Sequence, residues 1–364
     1  MTDKTADILA QGEACGGSLG RADLSHLLSL PDFSEDERAL FDAAYRVKCR
    51  TIGRRVSVRG LVEAGNVCRK DCFYCGIRAS NKNVSRYTLA KDDIVRLAHL
   101  ARELDYGSIV IQAGEEVSDG HAAFIEDVLK AIAPLDLGVT LSLGEQSEET
   151  YRRWREAGAS RYLLRIETSD PVLYAHLHPA SHRWEERRAC LDALRRLDYQ
   201  VGTGVMCALP GQTADDLARD ILFYREIDAD MIGMGPYIPH PDTPLAAMAP
   251  PLPGEERLHL ALRMIAATRL LMHDVNIASS TALQALAADG REQGLRAGAN
   301  VLMPNITDVE YRAAYRLYAG KPCLSETAAQ YRRKLDARLK AMGEEALYGE
   351  RGDSLHYAAK SRRH

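Results

Sequence analysis

The run Val56-Ser57-Val58-Arg59-Gly60-Leu61-Val62-Glu63-Ala64-Gly65-Asn66-Val67-Cys68-Arg69-Lys70-Asp71-Cys72-Phe73-Tyr74-Cys75-Gly76 joins an apolar strand to a loop with three cysteines. The cysteine spacing is C-x3-C-x2-C, with an aromatic residue just before the last cysteine. Three thiolates this close hold a metal or cluster but leave it one ligand short. An iron–sulfur cube takes four ligands, so its fourth iron would be open to a small molecule. A structural zinc site wants a fourth Cys or His nearby, and no Cys follows until Cys190 and no His until His99. A zinc knuckle with a distant ligand and three inert cysteines are the competing readings. The polar neighbours Arg69, Lys70 and Asp71 speak against buried inert thiols, and three cysteines do not pair evenly into disulfides.

Working outward, short apolar runs alternate with amphipathic helical patterns. Strands are expected near Val56–Glu63, Ser108–Gln112, Val139–Leu143, Arg161–Ile166, Gln200–Met206, Met231–Met234, Val275–Ser279 and Asn300–Met303. Thr213 with Asp216 reads as a capping box ahead of Leu217, Ile221 and Tyr224 at helical spacing. Eight βα alternations without a long linker predict an α/β fold, a single (β/α)8 TIM barrel over residues 56–319. A doubly wound open sheet is the alternative, but no G-x-G-x-x-G follows an early strand. Residues 1–20 are expected to be flexible, 21–55 to form a helical extension and 320–364 a charged helical tail.

The 364 residues are 46% hydrophobic, enough for a large core, and carry a net charge of −4, which argues against a nucleic-acid footprint. No 18-residue apolar run exists, so no membrane span is expected. The first twenty residues lack the basic and apolar regions of a signal peptide, which leads to an expectation of a cytoplasmic protein.

In such a barrel the chemistry sits at the C-terminal ends of the strands. The cysteine loop follows the first strand directly. The second strand ends in Ala113-Gly114-Glu115-Glu116. The third carries Thr140 and Ser142 on one face, and their hydroxyls either line the cavity or satisfy backbone groups. The fourth carries Arg165 and Glu167 at i and i+2. Opposite charges on one face of a buried strand are costly unless paired or bound to a ligand, so they either bind the zwitterionic and hydroxyl groups of a ligand or form a structural ion pair. Met206 and Met234 end the fifth and sixth strands, where soft apolar contact or core packing is expected. Arg54, Arg55 and Arg59 cluster at the first strand, facing either an anionic ligand or solvent.

The three-cysteine loop and the Gly-Glu after the second strand resemble the radical S-adenosylmethionine (SAM) superfamily. Arg59-Gly60-Leu61-Val62-Glu63, Leu141-Ser142-Leu143-Gly144-Glu145, Tyr162-Leu163-Leu164-Arg165-Ile166-Glu167-Thr168 and Ala208-Leu209-Pro210-Gly211-Gln212-Thr213 narrow that likeness. So do Gly235-Pro236-Tyr237-Ile238-Pro239-His240-Pro241-Asp242-Thr243-Pro244 and Arg296-Ala297-Gly298-Ala299-Asn300-Val301-Leu302-Met303-Pro304-Asn305. Over residues 22–322 the chain resembles the HydE family, the radical SAM maturases of [FeFe] hydrogenase, with methylornithine synthase and biotin synthase similar in layout. The resemblance implies one [4Fe-4S] cluster on Cys68, Cys72 and Cys75, and SAM cleaved by one-electron reduction to methionine and a 5′-deoxyadenosyl radical. It implies SAM contacts from Tyr74, Gly114, Glu115, Ser142, Arg165, Glu167, Arg187 and Met206. Arg59, Thr140, Ser280 and Thr281 are the expected substrate residues. The implied substrate is an Fe(CO)2(CN)–cysteine synthon, with HydG and HydF as partners, a ferredoxin or flavodoxin as electron donor, and a monomeric protein. An amino-acid mutase of the methylornithine synthase kind is the alternative activity. Some family members carry extra C-terminal cysteines for an accessory cluster; here Cys323 stands alone, so one cluster is expected.

Overall fold

The computed structural model describes residues 1–361. Eight parallel strands form the frame: β1 (Arg55–Gly65), β2 (Ser108–Ala113), β3 (Gly138–Ser142), β4 (Arg161–Leu163), β5 (Gln200–Thr203), β7 (Met231–Ile232), β9 (Asn276–Ile277) and β10 (Val301–Leu302). Each of the eight runs predicted from sequence overlaps one of them. The order is β10-β1-β2-β3-β4-β5-β7-β9. The ring closes between its ends, where Ala278 bridges to Val301 and the Asn300 N–H donates to the Ile277 carbonyl at 2.9 Å. A short parallel pair, β6 (Met206–Cys207) and β8 (Gly235–Pro236), extends β5 and β7 toward the mouth. The extension forms because Gly204 and Gly233 approach closely: a Cβ on Gly204 would meet the Gly233 carbonyl oxygen at 2.1 Å.

Strand side chains alternate between the barrel interior and the surrounding helices. Val62, Val110, Ile111, Leu141 and Tyr162 are wholly buried, and the helical coat contributes Ile94, Leu97, Ile125 and Trp154 to the core. The capping box forms as expected, with the Thr213 N–H donating to Asp216 at 2.8 Å and the Asp216 N–H donating to Thr213 Oγ1 at 3.2 Å; the helix runs Ala214–Glu226.

The ends of the chain hold more structure than the composition suggested. Residues 1–20, expected to be flexible, contain the helix Asp3–Ala14, which buries Ile8 and Leu9. Asp36 on the helix Glu35–Thr51 fixes its start by accepting from the Thr2 N–H at 2.9 Å and the Thr5 hydroxyl at 2.8 Å. The C-terminal segment contains helix Ala328–Met342, a strand β11 (Glu345–Leu347) beside the start of β1, and helix Leu355–Ser361. Between the last two, residues 350–354 lie across the N-terminal end of the barrel. A Cβ on Gly107 would meet the Glu350 carbonyl at 2.1 Å, and one on Gly352 would meet Ser57 Oγ at 2.0 Å, so the segment rests directly on the strand ends.

Candidate active site at the barrel mouth

Cys68, Cys72 and Cys75 lie on the loop that leaves β1, at the C-terminal end of the barrel. The loop is held by main-chain hydrogen bonds on every side. Arg69 N–H donates to the Glu115 carbonyl at 2.8 Å, Phe73 N–H to Leu177 at 2.9 Å, and Gly76 N–H to Leu317 at 2.8 Å. The Arg86 guanidinium donates to four carbonyls, those of Asn66, Ile77, Arg78 and Asn81, and so ties the two ends of the loop together. Gly114 admits the loop to β2: a Cβ there would meet the Val67 carbonyl oxygen at 2.0 Å and Cys68 Cβ at 2.8 Å. The neighbouring Glu115 N–H donates to Cys68 Sγ at 3.3 Å.

Burial raises all three thiols, and neighbouring thiols add to it at Cys72 and Cys75: Cys72 is pushed up to about 12, and Cys68 and Cys75 are also raised. A protonated thiol does not ligate a metal, so loading such a site releases protons. Three thiols on one fixed loop, a backbone N–H already aimed at one of them, and a glycine cradle at the loop base fit a three-cysteine iron–sulfur cluster. Four-ligand zinc would need another side chain. Among the described residues, the only group of three close Cys, His, Asp or Glu ligand atoms is Asp32, Glu37 and His259, away from this loop, and Arg263 already pairs with both of its carboxylates.

Beside the cysteines, Glu145 sits between two cations, Lys70 at 2.7 Å and Arg187 at 2.7 Å, all three nearly buried. Arg187, then Lys70, holds the Glu145 carboxyl below its ordinary pKa against the opposing effect of burial. Arg187 also donates to the Arg165 carbonyl at 3.0 Å. The expected SAM ligand Arg187 is therefore locked in place by protein groups. Glu115 is locked likewise: its carboxylate accepts from the Glu145 N–H at 2.8 Å and from Arg69 Nε at 2.9 Å, and it makes a longer 3.6 Å pair with Lys70. It braces the cysteine loop against the β3 loop.

Arg165 and Glu167 pair at 3.1 Å, as the i, i+2 spacing suggested. Glu167 has φ 69°, in the left-handed region, a conformation costly for a residue with a Cβ. Its buried Oε2 lacks a well-directed donor among the described residues. Ser142 ends β3 half-buried, opposite Gln112. Met206 packs with Leu177, Leu209, Tyr237 and Leu245 in a small apolar cluster separate from the main core, and Phe73 and Tyr74 lie against it. Tyr74 OH is 3.3 Å from His178 Nε2, and His178 stacks on Tyr174. Burial, then Arg187, lowers His178 to about 3, so it is neutral. Ser280 Oγ is buried with no partner among the described residues, while Thr281 Oγ1 pairs with Tyr318 OH at 2.8 Å.

Two expected substrate residues lie elsewhere. Arg59 pairs in register with Ser108 at the start of β2, in the bottom layer of the barrel. It is wholly buried, and its guanidinium meets Met231 Sδ at 2.8 Å and the Gly352 carbonyl at 3.0 Å. Thr140 is wholly buried in mid-strand, with no partner for its hydroxyl among the described residues. Sequence reasoning gave no part to Glu145, Lys70 and His178. The available signal was the Gly144-Glu145 pair closing β3: Gly144 has φ 76°, and a Cβ there would strike Glu115 Oε2 at 2.3 Å.

Comparison with known proteins places this architecture. The radical SAM superfamily profile matches residues 62–224, which contain the cysteine loop and the first strands. The chain is 46% identical over 308 residues to the [FeFe] hydrogenase maturase subunit HydE of Thermotoga maritima, spanning 83% of this chain and 85% of that one. This protein belongs to the HydE family. It is more distantly similar, at 26% identity over 82% of this chain and 84% of the relative, to 3-methylornithine synthase of Methanosarcina acetivorans. Its fold matches the crystal structure of methylornithine synthase with a TM-score of 0.79 at 22% identity, over 95% of this chain and 98% of that one. It matches the maturase HydG of Carboxydothermus hydrogenoformans equally well, at 0.79 and 18% identity, over 95% and 80%. The chain is a radical SAM enzyme, and this HydE-family membership implies a [4Fe-4S] cluster and SAM at the mouth. Among the described residues no helix is long and apolar enough to cross a membrane.

Proposed function

We propose that this enzyme acts in the maturation of [FeFe] hydrogenase, on an organometallic Fe(CO)2(CN)–cysteine synthon received from HydG and passed toward HydF. The observation that carries the reading is a fixed three-thiol loop at the barrel mouth of a chain that is 46% identical to a HydE maturase along most of its length. Cys68, Cys72 and Cys75 would hold the single [4Fe-4S] cluster. When bound, the cluster supplies the electron that cleaves SAM and thereby gives access to a 5′-deoxyadenosyl radical.

The chain's own residues do the rest. Glu145 and Glu115 hold Lys70, Arg69 and Arg187 against the cysteine loop, so the loop keeps one geometry whether or not SAM is present. Arg165 and Glu167 offer one charge of each sign at the end of β4, suited to the ammonium, carboxylate and hydroxyl groups of SAM. Ser142 adds a hydroxyl at the neighbouring strand end. The Met206 cluster with Tyr74 gives an apolar face suited to adenine. Ser280 brings a free hydroxyl from the end of the β9 loop toward the cavity, a donor and acceptor for substrate. A ferredoxin or flavodoxin would deliver the electron, and the protein would act as a monomer in the cytoplasm.

Complementation tests the substrate reading. Expressed in a host whose own HydE is deleted, this chain should restore [FeFe] hydrogenase activity, and Cys72→Ala should not. Failure to restore activity, combined with formation of methylornithine from lysine, would move the assignment to the mutase alternative. Iron analysis of the anaerobically reconstituted protein tests the single cluster: about four irons per chain are expected, and about eight would reveal a second cluster.

A further inference from the structure

A second cavity, of about 250 Å³, lies on the outside of the barrel between the helix Gly290–Arg296 and the C-terminal helix Ala328–Met342. Its floor is apolar, with Leu295, Leu335 and Leu339. Its charged lining is three cations, Arg291, Lys334 and Arg338, against two carboxylates, Glu292 and Glu326. Lys334 pairs with Glu326 at 2.6 Å and Arg338 with Glu292 at 3.2 Å. Arg291 is left over. It is 4% exposed, has no carboxylate partner among the described residues, and its Nε is buried without any acceptor. Its one side-chain hydrogen bond goes to the Tyr331 hydroxyl, and its guanidinium lies 5.5 Å from that ring's centre.

A buried cation without a counter-charge is costly, and a bound anion removes the cost. Cys323 lines the same cavity in a left-handed conformation, φ 64°. That conformation is held from behind, because Arg312 donates to the Cys323 carbonyl at 2.9 Å and to the Glu326 carbonyl at 2.7 Å. The wall that carries the thiol is therefore fixed in the absence of any ligand.

We propose that this cavity is a binding site for a small anion of the carboxylate or phosphate class, received by Arg291 beside the Cys323 thiol. The site is separate from the barrel mouth and does not depend on the function proposed for it.

Site-resolved alkylation tests the proposal on the anaerobically reconstituted holoenzyme. Rates with anionic iodoacetate and neutral iodoacetamide are measured by mass spectrometry at Cys323 and at the exposed Cys15. A local uncompensated cation concentrates the anionic reagent, so the iodoacetate-to-iodoacetamide ratio at Cys323 should exceed that at Cys15 roughly tenfold. Added acetate or inorganic phosphate should erase the excess, and the more effective of the two identifies the anion class. Arg291→Gln should lower the ratio to that of Cys15, and Arg291→Lys should keep part of it. Equal ratios at the two cysteines in the unaltered protein, or an excess that neither anion reduces, would overturn the proposal. Because both comparisons use the native chain, poor folding of Arg291→Gln leaves the test intact.

Discussion

The two ends of the barrel treat the same residue type in opposite ways. At the mouth, Arg165 and Arg187 meet carboxylates, Glu167 and Glu145, and the buried Ser280 hydroxyl has no partner among the described residues. At the bottom, Arg59 and Arg161 are capped by the protein's own tail. Arg161 donates to the Arg351 carbonyl and pairs with Asp353, and Arg59 donates to the Gly352 carbonyl. Burial, and the neighbouring Arg161 charge, lower the Arg59 pKa well below its usual range. Arginine thus meets carboxylates of neighbouring loops at the mouth and closes the barrel against the tail at the bottom, and depth along the barrel decides which. Residues 350–354 cover the bottom of the barrel.

Breaking the mouth should cost most. Glu145→Ala leaves Lys70 and Arg187 buried with no shared carboxylate, an expected loss of about 3–5 kcal/mol of stability together with SAM binding. Denaturant unfolding and a SAM-binding titration check both, and a variant that binds SAM normally would remove Glu145 from the site. Gly114→Ala forces the Val67 carbonyl away from a Cβ that would otherwise sit 2.0 Å from it. A cost of about 1–3 kcal/mol is expected, along with poor iron incorporation measured after reconstitution.

Breaking the bottom should cost less and spare the chemistry. Asp353→Asn removes the charge partner of Arg161, but Asp353 is 45% exposed, so about 1 kcal/mol is expected with iron content and SAM affinity unchanged. A fall in SAM affinity would mean that the two ends are coupled. The smallest effect belongs to the last helix, where His356 meets Asp228 at 2.7 Å and Asp274 at 3.1 Å. The hydrogen bonds to these carboxylates raise His356 to about 9. A raised histidine contributes fully below its unfolded pKa of about 6.5, and the contribution fades as pH climbs through about 9. Stability should therefore decline from its pH 6.5 value toward pH 9, and His356→Gln should flatten that decline. An unchanged slope would exclude the pair as its cause.

The contrast between the ends also explains what the sequence made legible. The cysteine loop, the eight strand positions and the Arg165–Glu167 pair were readable because each rests on local spacing: a ligand interval, an apolar run, a two-residue period. Arg59, for which the sequence left both a ligand-facing and a solvated position open, is wholly buried in the barrel. Its depth was hidden, because depth follows from register with Ser108, some fifty residues on, and from a tail almost three hundred residues on. Helix Asp3–Ala14 was obscured for a similar reason. Its polar, small-residue composition suggested a mobile end, while its anchorage comes from Asp36 and from burial of Ile8 and Leu9. Glu145 was in plain view after Gly144, but its value lies in two cations, Lys70 from the cysteine loop and Arg187 from the helix Trp184–Arg196.

The most direct test of the central claim, that the three-cysteine mouth is the reactive end, is release of 5′-deoxyadenosine from SAM by the reduced, anaerobically reconstituted protein. The unaltered chain and Asp353→Asn should both release it, while Cys72→Ala, which loses a cluster ligand, should release none. Equal release by Cys72→Ala, or none from the unaltered chain with its cluster in place, would contradict the account.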